Sequence, residues 1–195
     1  MELDGVNVGF CLTGSFCTFE KVFPVIEKMA DMGANIVPII SDSVNEKDTR
    51  FYKAAETKRF LTIATGKKAL NDITEIEPIG PKALLDIIIV APCTGNTLAK
   101  IANGISDTPV ALAVKSHLRN ERPVLLAVST NDALSGNAKN LGLLLDKRNV
   151  FFVPMGQDNF DVKHTSMVAD MERIIDAAKL ALENKQIHPV LIGPK

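Results

Sequence analysis

The sequence carries almost no excess of charge. Its 195 residues include 22 Lys and Arg against 23 Asp and Glu, a formal net charge of −1. A chain so balanced lacks the basic face that neutralises phosphates, so no nucleic-acid partner is expected. Long apolar runs are missing too. None approaches the roughly 20 residues that span a bilayer, and no membrane partner is expected. The opening residues Met1-Glu2-Leu3-Asp4 are acidic and lead straight into a short apolar strand, unlike the basic region of a signal peptide. Cysteine is scarce: Cys11, Cys17 and Cys93 are an odd set with no CxxC pair. That pattern fits a reducing, cytoplasmic setting and offers neither a disulfide framework nor a metal site. Repeats, low-complexity tracts and linkers are absent as well. With 46% hydrophobic residues the chain can bury a sizeable core, and one domain over residues 1–195 is expected.

What is present is an alternation of short apolar runs and helical patterns. Residues 6–12 read as a strand ending in Thr13-Gly14-Ser15. Phe19, Val22, Phe23, Ile26, Met29 and Ala30 then mark one helix face, with Gly33 as the stop. Pro24 inside this pattern predicts a kink or a late helix start. Residues 35–40 read as a second strand, closing on Ser41-Asp42-Ser43. The polar stretch 45–81 predicts two short helices near 52–60 and 66–72. Ile87-Ile88-Ile89-Val90 is apolar on consecutive residues, the pattern of a strand covered on both faces. Residues 123–128 and 149–153 read as further strands. The helix after the first of these carries Leu134, Ala138, Leu141, Leu144 and Leu145. The helix after the second carries Met167, Met171, Ile174, Ile175, Ala178 and Leu182, with Ser166 as its N-cap. This order predicts an α/β fold: one doubly wound, mostly parallel sheet with helices on both faces, of the Rossmann-like or flavodoxin-like kind. Ligands of such folds bind beyond the carboxyl ends of the strands.

Three small polar clusters fall at those ends. Thr13-Gly14-Ser15 follows the first strand, where backbone amides and a hydroxyl can face an anion. By itself such a turn is weak evidence, and it is not the GxGxxG of a dinucleotide site. The strongest signal is Pro92-Cys93-Thr94-Gly95-Asn96-Thr97, followed by a helix with Leu98, Ile101 and Ala102 inward and Gly104 at its end. Its first turn offers free amides, two threonine hydroxyls and a favourable dipole, suited to a phosphate or a carboxylate. The third cluster is Ser129-Thr130-Asn131-Asp132, in which Asp132 also suits an ordinary cap. Ser41 ends the second strand and can join the group. His117, His164 and His188 stand beside no acid in a catalytic pattern and read as surface or structural residues. Cys11 reads as core; Cys17 and Cys93 flank the clusters.

Together the three clusters resemble the flavoprotein family that includes FMN-dependent cysteine decarboxylases and flavin prenyltransferases. Pro92 to Gly104 follows that family's central motif almost residue for residue. The resemblance implies FMN as cofactor, unless the crevice is turned over to substrate, with Gly14, Ser15, Ser41, Thr94, Asn96 and Thr97 as binding positions; the third cluster adds Ser129 as a binding position and Asn131 as the catalytic position, orienting a carboxylate. The resemblance also implies homo-oligomers. The departures are equally specific. Residues 77–82 hold no counterpart of the decarboxylases' histidine, residues 154–171 hold no clamp cysteine, and Ser129-Thr130 replaces the prenyltransferases' Arg-Glu pair. Over nearly its whole length the chain resembles a narrower branch of the family, the B subunits of dipicolinate synthase. That resemblance implies an oxidoreductase of sporulation acting on a dicarboxylate at the dihydrodipicolinate level of the lysine and diaminopimelate pathway. An A subunit carrying NADP is the implied partner. The implied alternatives are an FMN-dependent decarboxylase and a non-catalytic partner subunit that binds FMN or substrate.

Overall fold

The computed structural model describes residues 3–193; residues 1, 2, 194 and 195, part of the expected 1–195 domain, lie outside the described residues. Among the described residues, seven strands form a single mixed sheet. Four of them, β1 (Asn7–Leu12), β2 (Asn35–Ile40), β3 (Ile87–Cys93) and β4 (Val124–Thr130), run parallel in the order β2-β1-β3-β4. All seven residues of β3 are buried, as expected for a central strand covered on both faces. Short β5 (Val150–Phe152) continues the parallel ladder beside the first half of β4. The second half of β4 pairs instead with an antiparallel hairpin, β6 (Met155–Gln157) and β7 (Met167–Ala169). The expected mostly parallel α/β sheet is therefore what forms.

Helix α1 (Phe19–Asp31) buries Phe19, Val22, Val25, Ile26 and Met29 on one stripe. It starts ahead of Pro24, not late: a 3-10 turn at Phe16–Thr18 feeds it, and the proline removes only one internal hydrogen bond. Short α2 (Asp42–Glu46) follows β2, and α3 (Ala54–Thr65) corresponds to the first helix expected in the polar stretch. The second expected helix, near 66–72, does not form. Gly66 takes a left-handed conformation and ends α3, and Leu70 then bridges to Ile39 at the sheet edge. The next helix, α4 (Ile73–Ile76), begins only where Asp72 and Glu75 make a capping box.

Beyond β3 come α5 (Gly95–Ala102), α6 (Pro109–Arg119), α7 (Ala138–Leu145) and α8 (Ile174–Leu182). Helix α6 has no counterpart in the sequence reading, although Thr108 caps it and Pro109 occupies its first turn. Its buried Val110, Ala113, Val114 and His117 have helical spacing. Two other helix assignments need correction. Leu134 is exposed ahead of α7, which starts only at Ala138, and Leu145 is exposed at its end, off the face that buries Asn140, Leu141 and Leu144. Ser166 is no N-cap: Met167 belongs to β7, a 3-10 turn at Met171–Arg173 precedes α8, and Ser166 Oγ donates to Thr130 O at 3.3 Å. Helices α1 and α8 pack together, while α5 packs with α6 and α7. This is the two-faced cover that opposite winding directions from a central switch produce. The switch falls between β1 and β3, so their loops diverge there and leave a crevice.

Candidate functional site

At that crevice lies a cavity of about 430 Å³ lined by residues from all three clusters and from the hairpin loop. Gly14, Ser15, Thr94, Ser129 and Asn131 face it. Ser41, Asn96 and Thr97 do not line it. Ser41 precedes α2 and bonds Ser43 Oγ at 3.0 Å, behind Gly14, and Asn96 is exposed. Thr97 is buried, where its hydroxyl accepts from Thr94 Oγ1 at 3.1 Å. A larger, more apolar groove of about 490 Å³ between α5 and α6 contains none of these residues.

Short hydrogen bonds between distant segments hold the loops in place. Thr13, buried after β1, donates to the Pro92 carbonyl at 2.6 Å and accepts from the Thr94 amide at 3.0 Å. It thereby fixes the first loop against the central one. Ser15 Oγ and Ser129 Oγ meet at 2.7 Å and join the first loop to the third. Thr94 caps α5 through the Thr97 amide, which leaves the amides of the first turn and the dipole's positive end toward the crevice.

The third loop differs from its expected form. Asn131 and Asp132 do not sit at a helix N-terminus, since α7 begins at Ala138 behind a run of turns. Nor is Asp132 merely a cap. Its carboxylate accepts from Thr130 Oγ1 at 2.6 Å and from Asn137 Nδ2 at 2.7 Å. Asn137 Oδ1 accepts from Asn140, whose Oδ1 accepts from Asn103 at the far end of α5. Gly95 fits beneath this chain. A Cβ there would stand 2.5 Å from Thr130 Oγ1, 2.6 Å from Asn137 Nδ2 and 2.7 Å from Asp132 Oδ1.

Thr130 of the third cluster lines the cavity as well, and several lining residues were not expected at the site: Phe16, Phe51, Asp158, Lys163 and Ser166. Phe16 belongs to an aromatic chain through Phe19, Phe23, Tyr52 and Phe60, with ring centroids 4.1–5.5 Å apart. Asp158 and Lys163 come from the β6–β7 loop. Thr165 Oγ1 holds that loop over the site by donating to the Asn131 carbonyl at 2.6 Å. No local signal marks them, because only the pairing of β7 with the end of β4 brings them here.

The cysteines separate by environment. Cys11 and Cys93 are buried, and burial pushes the Cys93 thiol up to about 12 and the Cys11 thiol higher still, with Cys93 adding to it. Cys17 is exposed at the cavity. A thiol-specific disulfide reagent is therefore expected to modify Cys17 rapidly in the native chain and the other two only after denaturation. Absorbance of the released thiolate measures this, and rapid labelling of a second thiol would contradict the burial. The histidines lie elsewhere: His117 is buried in α6, and His164 Nδ1 contacts the Phe160 carbonyl at 2.7 Å.

Comparison with known proteins accords with this geometry. The family model Flavoprotein matches residues 1–180. The chain belongs to the Flavoprotein family. It is 44% identical over 191 residues to the dipicolinate synthase B subunit of Bacillus subtilis (strain 168), covering 98% of this chain and 96% of that protein. The crystal structure of the dipicolinate synthase B subunit from Bacillus halodurans superposes with a TM-score of 0.90 at 40% identity, covering 98% of both chains. The FMN-dependent cysteine decarboxylase SpaF shares the fold, with a TM-score of 0.68 at 22% identity over 93% of this chain and 97% of its own. In this Flavoprotein chain the donors where the three strand-end loops meet are neutral, the amides opening α5 and the hydroxyls of Ser15 and Ser129, and Lys163 adds a charged donor from the hairpin loop. That set fits the phosphate of a flavin mononucleotide, and it fits a carboxylate as well.

Proposed function

We propose that this chain is the B subunit of a dipicolinate synthase. In this reading it acts with a dinucleotide-binding A subunit to oxidise a dihydrodipicolinate-level intermediate to dipicolinate, in the mother cell of a sporulating bacterium. The observation that carries the reading is the 44% identity to a protein of that name across 98% of this chain. Aromatising the ring removes one hydride and one proton. The hydride goes to NADP on the A subunit, and the proton goes to a base on one of the two subunits.

The residues of this chain have the simpler tasks of binding and orienting. A ring carrying two carboxylates needs anion donors that are already in place, and the amides of α5 with Ser15 and Ser129 provide them without reorganising. Thr13 holds the two loops at fixed separation. Asn131, exposed at the cavity, offers an amide to a carboxylate. Phe16 and Phe51 supply apolar walls for a planar ring. FMN, where bound, would supply a two-electron acceptor, with Gly14, Ser15, Thr94 and Ser129 around its phosphate.

Reconstitution tests the reading. The full chain mixed with its A subunit, NADP and the dihydrodipicolinate-level substrate is expected to form dipicolinate, seen by its ultraviolet absorbance, and neither subunit alone is expected to match the pair. A pair that forms none sinks the proposal. Asn131→Ala should lower turnover by about 10–100-fold, the scale of one lost oriented hydrogen bond, with an unchanged thermal midpoint. Unaltered turnover would remove Asn131 from the site.

A further inference from the structure

The cavity holds two formal charges among its lining residues, Asp158 and Lys163. Both sit on the loop between β6 and β7, and Lys163 Nζ donates to Asp158 Oδ2 at 2.6 Å. This hydrogen bond and the Asp158 charge raise the lysine's affinity for its proton, so the ammonium persists across the neutral range. Lysine carries three N–H donors, and the bond to Asp158 uses one. Its side chain is 54% exposed and stands at the cavity wall, free to turn the others inward. Cys17 lines the same cavity, with its Sγ 3.9 Å from Ser15 Oγ. The ammonium thus shares the cavity with the Ser15–Ser129 pair.

Charge balance makes this cation matter. A dicarboxylate brings two negative charges into a cavity that already holds the Asp158 carboxylate, whereas α5, Ser15, Ser129, Thr130 and Asn131 answer only with neutral dipoles, which leaves Lys163 as the cation to meet it. A strongly hydrated carboxylate gives up water for such a site more readily when one partner is a full charge. We propose that Lys163 is the specificity-determining cation of this site and receives one carboxylate of the substrate together with the Ser15–Ser129 hydroxyl pair. The inference rests on the dicarboxylate reading above and adds to it the residue that recognises the acid. A phosphate, such as that of FMN, presents related anionic oxygens, so the test must separate the two sources.

Titration calorimetry of the full chain with pyridine-2,6-dicarboxylate and, separately, with FMN makes that separation. Lys163→Gln is expected to weaken the dicarboxylate at least about tenfold, the scale of a charge-assisted hydrogen bond, and to leave FMN affinity unchanged. Lys163→Arg, which keeps the charge, should restore most of the affinity. Wild-type affinity should also fall with added salt, and this dependence should weaken in Lys163→Gln. Lys163 is exposed, so all variants should keep the wild-type thermal midpoint. Unchanged dicarboxylate affinity in Lys163→Gln overturns the proposal. An equal loss of FMN affinity also overturns it, by assigning the lysine to a phosphate. A wild-type chain that takes up no dicarboxylate overturns it too, and turnover by the reconstituted pair then shows whether the proposed function falls with it.

Discussion

Replacing Gly95 with alanine is expected to cost about 2–4 kcal/mol of stability, the range of overpacking joined to a broken buried network. The new Cβ would meet three polar atoms at 2.5–2.7 Å. All three belong to the Thr130–Asp132–Asn137 chain, so none can retreat without breaking a bond of 2.6 or 2.7 Å. Asn137 is itself buried and tied onward through Asn140 to Asn103. The strain would therefore pass into the contact between α5 and α7. For a chain of this size the thermal midpoint should fall by about 5–15 °C. Because Thr130 lines the cavity and Gly95 opens α5, affinity for pyridine-2,6-dicarboxylate should fall in parallel. Gly142→Ala is the matched control. It lies within α7 with nothing near its added Cβ, and it should gain about 0.5–1 kcal/mol from helix propensity. Calorimetric melts of both variants check the pair, and a Gly95→Ala midpoint at the wild-type value would mean that the network yields freely.

Acid should destabilise the fold by about 3 kcal/mol through His117 alone. The residue is 3% exposed and, among the described residues, its Nε2 has no hydrogen-bond partner. Burial, helped by the nearby Arg122 guanidinium, lowers its pKa to about 4, although the Pro123 and Asp86 backbone and the Asp86 charge pull it upward. The unfolded chain takes up this proton near pH 6.5 and the folded chain only near 4. Between these values the unfolded state binds more protons, so stability rises with pH across the window and is lost as pH falls through it. His117→Leu should flatten this part of the profile. Urea unfolding at steps between pH 7 and 4 measures the slope, and an identical slope in the variant would place the acid sensitivity in other groups. The result also bears on the site, because His117 lies inside α6 and does not line the cavity.

The sequence was most informative where chemistry is local. Unbroken burial of β3 followed from its consecutive apolar residues, and the helix that opens after it followed from the motif at Pro92–Thr97. Gly14, Ser15, Thr94, Ser129 and Asn131 share one cavity because each ends a parallel strand, and parallel strands bring their carboxyl ends to one edge. Ser41 and Thr97 turn to neighbouring hydroxyls and not to the cavity. Their side chains looked equivalent to those of Ser15 and Thr94, since composition cannot say which way a hydroxyl faces. The missed α6 is different in kind. Its Thr-Pro start and its spacing were readable, but so was the plain loop that Ile105-Ser106-Asp107 suggests.

What the sequence alone determined is the parallel α/β sheet, the place of the candidate crevice and the family to which the chain belongs. Each rests on short-range patterns: apolar periodicity, turn residues and a contiguous motif. Only the tertiary structure decided what else surrounds the crevice. The Asp132 network and the close fit over Gly95 join α5 to the segment between β4 and α7. The Lys163–Asp158 pair lies within one loop and reaches the crevice because β7 turns antiparallel against the end of β4. That pairing is fixed by backbone hydrogen bonds and by buried Met167 and Ala169, contacts that exist only once the rest of the sheet has formed.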